Sequence, residues 1–242
     1  MIRISVVLTL FVSSASAGLI QLGSPAHLPG PVATVSFGSL TGNFVSNPYV
    51  VVAGGQELTF SLNIGLWRRL DEGVNVVSDF VPGTNLLYTD NNNGCGLHGC
   101  SGGSIGGGGS GPVDILFSSG VVAVGLQAET QVLGDETFTM SAYNALMHLG
   151  TFDISGTAAQ RQDGSALFLG AAATDGDVIT RVHITSMVVQ NNFVVRDDFF
   201  FGPLTFPTPV PEPGSGTLSL VAFMIGAIAI VRAQVGRRPK HP

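Results

Sequence analysis

Between residues 18 and 208 the chain has no lysine, and fifteen acidic residues stand against five arginines: Arg68, Arg69, Arg161, Arg181 and Arg196. A phosphate backbone is gripped by clustered lysine and arginine, so this acidic body is not built to bind nucleic acid. The missing lysine also excludes a glycine-rich phosphate loop that ends in one. Charge of both signs is scarce, at 11% of residues, while apolar residues make up 45%. Disordered chains show the reverse balance, so a packed core is expected. No segment of the body carries a convincing long 3.6-residue apolar period, which argues against a helical bundle. Cysteine occurs only twice and tryptophan once.

Short apolar and β-branched runs separated by glycine are what the body does contain. In "QELTFSLNIG" Leu58, Phe60 and Leu62 fall on one face; in "ETFTMSAYN" Phe138, Met140 and Ala142 do. In "VITRVHITS" Val178, Thr180, Val182, Ile184 and Ser186 form one face, and Ile179, Arg181, His183 and Thr185 the other. Period two with one apolar face marks a half-buried antiparallel strand. "VDILFSSGVVAVGLQAE" reads as a hairpin turning at Ser118, Ser119 and Gly120. About ten strands with frequent turn signals predict an all-β fold: a single antiparallel β-sandwich or jelly roll over residues 18–203. Residues 90–111, rich in glycine, read as a long surface loop.

The two ends read as addresses. Residues 1–17 combine a basic Arg3, an apolar stretch and Ala15-Ser16-Ala17, in the order of a cleaved signal peptide. Export places the body in an oxidising space, where Cys95 and Cys100, with four residues between them in the glycine-rich loop, are expected to form a local disulfide. At the other end a proline-rich linker (204–216) precedes an uncharged apolar run (217–231) and a basic tail (232–242). A membrane-spanning helix needs roughly 20 apolar residues, a length the run reaches by drawing on the linker and by snorkelling of Arg232. Arg232, Arg237, Arg238 and Lys240 then hold the tail on the cytoplasmic side. Leader and tail demand the same orientation.

Val210, Pro211, Glu212 and Pro213, followed by that apolar run and the arginine-rich end, closely resemble the PEP-CTERM sorting signal. The resemblance covers about the last 33 residues. It implies export across the inner membrane of a Gram-negative bacterium that makes exopolysaccharide, and transient anchoring in the membrane. It also implies processing near the motif by an exosortase-type enzyme, and a final place at the cell surface or outside it. Less specifically, "VVAVGLQAE" and "FVVRDDFFFG", with Asp197, Asp198, Phe199 and Phe201, are similar to the late strands of jelly-roll domains carried by such proteins.

Chemistry is sparse beside these signals. Gly102, Ser104 and Gly106 match a nucleophile elbow in letters, without the strand before and helix after that the elbow requires. Asp90, Asn92, Asp175 and Asp177 concentrate oxygen in turns, which makes calcium a candidate ligand and turn formation the plainer reading. Trp67 is a candidate sugar platform if exposed and a core residue if not. The expectation is therefore a non-catalytic exported surface or matrix protein with no required cofactor, associated with exopolysaccharide or biofilm. The alternative is a carbohydrate-binding module, calcium-dependent or not. The expected partners are the processing enzyme, the membrane and a polysaccharide.

Overall fold

The computed structural model describes residues 18–40, 44–63, 65–90, 112–190, 193–195 and 199–208. The leader, the linker from residue 209 onward, the apolar run and the tail lie outside these. So do Cys95, Cys100, Asn92, Ser104, Asp197 and Asp198.

The body is all-β: two antiparallel sheets face each other across one core. The first sheet runs in the order β1 (Leu19–Gln21), β12 (Leu167–Ala173), β9 (Ala123–Thr130), β15 (Phe199–Phe201), β7 (Asn85–Asp90), β6 (Leu66–Asp71) and β3 (Phe44–Val45). Next to β9, β16 (Leu204–Pro207) follows β15 along the same side and pairs with β2 (Val32–Val35). The second sheet runs β11 (Met147–Ala158), β10 (Gly134–Asn144), β13 (Ile179–Gln190), β8 (Val113–Val121), β5 (Gln56–Leu62) and β4 (Tyr49–Ala53). Here β14 (Phe193–Val195) is added on β13. Gly54 and Gly55 close the β4–β5 hairpin, both with positive φ (57° and 80°), as a tight two-residue turn needs.

The alternation read from sequence places the core correctly in several strands. Leu58, Phe60 and Leu62 of β5, Phe138, Met140 and Ala142 of β10, and Val182 and Ile184 of β13 all point inward. The centre is aromatic. The Phe60 and Phe201 rings stack at 6.1 Å. Trp67 meets Phe201 edge-on at 5.5 Å, and Phe37 meets it at 5.8 Å.

Four expectations are revised. β8 and β9 are not a hairpin: the chain crosses from one sheet to the other at Val122. The Ser118-Ser119-Gly120 signal instead marks an irregularity within β8. Ile179 pairs with Val121 and Arg181 already with Leu116, so several β8 residues bulge against Thr180. Gly120 is needed there, since a Cβ would lie 2.4 Å from Val178 Cγ2. The same irregularity turns Ile179 inward, against the strict alternation expected of it. Finally, Leu204–Pro207 is not linker but β16, with Leu204 and Phe206 fully buried, so the folded body runs to Thr208.

The first sheet is buried on both faces over part of its area. Phe199 and Phe201 point into the main core, while Phe200 joins Leu70, Phe80, Leu86, Tyr88 and Ala166 in a second cluster on the opposite face. Phe80 and Ala166 come from segments 72–84 and 159–166, which roof that face. The roof is why "FFF" in β15 is buried at all three positions. Replacing Phe201 by alanine, at the meeting point of the core rings, is expected to cost about 3–5 kcal/mol, read as a lowered urea midpoint; a change below about 1 kcal/mol would show that this packing does not hold the sheets together.

Candidate functional site

The roof is fastened to the sheet by carboxylates. Glu72, Asp79, Glu129 and Glu136 are each no more than 2% exposed. Four acidic side chains so deeply buried call for donors, because an unpaired buried charge is costly. The donors are mostly backbone amides. Glu129, on the outer side of β9, accepts from the Asp79 amide at 2.5 Å. Asp79 Oδ2 accepts from the Ala159 amide at 2.9 Å, and its Oδ1 from the Arg161 amide. Glu72 Oε1 accepts from the Ser78 amide at 3.0 Å and from Gln162 Nε2 at 3.1 Å, while the Ser78 hydroxyl donates to Oε2. Glu136, at the inner edge of β10, accepts from the Thr130 amide at 2.7 Å and from its hydroxyl at 2.8 Å.

The chain between Ala159 and Gln162 is bent to suit this. Gln160 and Gln162 both hold positive φ, 56° and 55°, an uncommon conformation for a side chain of that size. Their turns aim the Ala159 and Arg161 amides at one carboxylate, a concave amide arrangement suited to an anion.

Among the described residues no lysine, arginine or histidine side chain forms an ion pair with any of the four. Burial therefore dominates. It raises the Glu129 pKa from 4.5 to about 8, against the Asp79 amide, and the charges of Asp79, Glu136 and Glu72 add to the rise. Burial raises Glu136 too, opposed by its bonds from Thr130.

Beside the fastened roof is a cleft of about 330 Å³, lined by residues 73–77, Gln131, Gln160 and Phe200. No lining side chain is charged. Gln131 Oε1 accepts from Tyr88 Oη at 2.7 Å, and Asn75 Oδ1 accepts from the Asp71 amide at 3.2 Å. Among the described residues the N–H groups of these two carboxamides have no protein partner.

The outer face of the second sheet is a ladder of polar side chains satisfied by one another. His183 and Asp114 meet at 3.1 Å, Thr139 donates to Asp153 at 2.6 Å, and Thr137 pairs with Ser155 at 2.9 Å. The Arg181 guanidinium lies 4.1 Å from the Tyr143 ring centre. Asp114, His183 and Ser141 occupy neighbouring strands, but the Ser141 hydroxyl is bonded to Thr151 at 2.7 Å rather than to His183.

The residues singled out from sequence do not converge here. Trp67 is wholly buried and donates its indole N–H to the Phe60 carbonyl at 3.3 Å, which removes it as a sugar platform. Asp175 and Asp177 share an exposed turn, in which the Thr174 hydroxyl donates to Asp175 and Asn144 to Asp177. Asp90 ends β7, opposite Leu66. Among the described residues no group of three metal-ligating side chains comes together. The four buried carboxylates were not foreseen. The available signal was a lone charged residue, Glu129, near the end of a strand that is otherwise uncharged.

No family model matches the chain, and no curated protein does. Among solved structures, a DUF4465 family protein from Bacteroides caccae is similar at 10% identity with a TM-score of 0.38. That match covers 79% of this chain and 99% of that one.

The raised carboxyls fix a pH dependence. Between 4.5 and about 8 the folded state holds a proton on Glu129 that the unfolded chain has released. This group's contribution is thus fully present below pH 4.5 and is lost as pH rises through about 8. Stability measured by urea unfolding is expected to fall across that window in the wild type and to fall less steeply in Glu129→Gln, which keeps an acceptor for the Asp79 amide. Identical slopes would contradict a protonated Glu129.

Proposed function

We infer that the chain is a non-catalytic exported protein of the cell surface or extracellular matrix, and that its sandwich is a jelly-roll-type adhesive or structural module. One observation carries the reading: the run of Val210, Pro211, Glu212 and Pro213, then an uncharged apolar segment, then Arg232, Arg237, Arg238 and Lys240, behind an N-terminal segment that reads as an export leader. The charge arrangement supports it, since the cationic tail favours the cytoplasmic side. In this reading residues 217–231 hold the chain in the inner membrane of a Gram-negative bacterium until an exosortase-type enzyme cuts near the motif. The body is then released or attached among exopolysaccharide. The fold is compatible with such a cut, because the last strand of the body, β16, ends at Pro207, ahead of the motif.

A second reading, a carbohydrate-binding module, is favoured by the uncharged cleft walled with carboxamides. Calcium dependence gains no support from the described turns, and Trp67 no longer contributes to it.

Mass spectrometry of the mature protein from surface and culture fractions tests the first reading. The expected product lacks the leader and the apolar run 217–231. A mature protein that keeps residues 221–240 and is soluble in the periplasm would overturn it.

A further inference from the structure

We propose that the cleft between the roof and β15 binds a single uncharged sugar residue, as a terminal or branch unit of a neutral polysaccharide. This rests on the carbohydrate-binding reading and assigns its site and ligand class.

The walls supply the chemistry of a neutral polyhydroxyl ligand. Asn75, Gln131 and Gln160 offer three carboxamides. The oxygens of the first two are already taken, by the Asp71 amide and by Tyr88, so what they present is N–H donors. Among the described residues the Gln160 carboxamide has no protein partner. Sugar hydroxyls accept from such donors and can donate to the Gln160 oxygen. Val74 and Val77, 79% and 46% exposed, supply the apolar surface that the C–H face of a sugar ring covers. The volume lies at the lower end of the range for small-molecule sites, roughly 300–1,000 Å³.

Charged ligands fit worse. Glu72 and Asp79 lie beneath the same roof and repel an anion. A cation would meet amide donors instead of the oxygens it needs.

The cleft is also rigidly built, which lowers the ordering cost of binding. Each wall is held by a buried carboxylate. Glu72 ties down Ser78 next to the 73–77 wall, Asp79 grips the amides on either side of Gln160, and Glu136 grips Thr130 next to Gln131. The positive φ at Gln160 is the local strain that this grip maintains.

The test titrates the full-length protein, in a non-glycosidic detergent, against neutral and acidic oligosaccharide panels with and without chelator. Two variants accompany it. Gln160→Gly removes the carboxamide while easing the backbone, so its fold is kept or strengthened; Val74→Glu places a charge at the rim from a position 79% exposed. The proposal expects chelator-independent binding of neutral sugars, weakened about tenfold or more in each variant, as loss of one good hydrogen bond or blockage of the rim requires. Neutral-sugar binding that survives both variants unchanged overturns the cleft and leaves the carbohydrate-binding reading standing. Binding confined to acidic sugars, or abolished by chelator, also overturns the cleft. Absence of any glycan binding by the wild type overturns both.

Discussion

Buried acidic side chains that cap backbone amides, with no basic side chain ion-paired to them among the described residues, are the constraint on which the roof over the first sheet depends. Segments 72–84 and 159–166 contain little regular structure, and a loop laid over a sheet must find partners for its amides away from water. Glu72, Asp79 and Glu129 are those partners, while Glu136 caps the Thr130 amide at the end of β9. They convert a loose loop pair into a second layer over β6, β7, β9 and β15, bury Phe80 and Phe200, and shape the cleft. The scarcity of cations in the body makes the arrangement unusual in its electrostatics. Among the described residues the acids are held by peptide N–H groups, and Glu129 also by a raised pKa, not by salt bridges.

That choice suits a body with many acids and few cations. Surface ion pairs contribute little and are screened by salt. Amide caps inside a packed roof are shielded from both. The outer face of the second sheet follows the same economy of charge: hydroxyls, Asp114, Asp153 and His183 answer one another across strands and leave few polar atoms exposed without a partner.

The strands were legible wherever one face met the core and the other met water. Phe138, Met140 and Ala142 in β10 show this, as do Leu58, Phe60 and Leu62 in β5, because period two records burial on a single side. Legibility failed where that premise failed. β9 and β15 are covered on both faces, so their alternation is blurred, and β9 was paired with β8 across a crossing that composition does not reveal. Ser118, Ser119 and Gly120 carry turn chemistry, and a bulge uses the same residues. Ile179 broke its expected face because the bulge resets the register. Leu204–Pro207 was hidden by Pro207 and by Pro203 just before it, which a strand tolerates at its ends. The four carboxylates were out of reach because nothing local distinguishes a capping glutamate from a solvated one. Glu129 and Asp79 are 50 residues apart and meet only after the roof folds down.

Native-state hydrogen exchange tests the carboxylate roof most directly. In the full chain below pH 8, the amides of Ser78, Asp79, Thr130, Ala159 and Arg161 should exchange slowly, with protection approaching that of the β10–β13 ladder. Exchange of these five amides at the rate of an open surface loop would contradict the account.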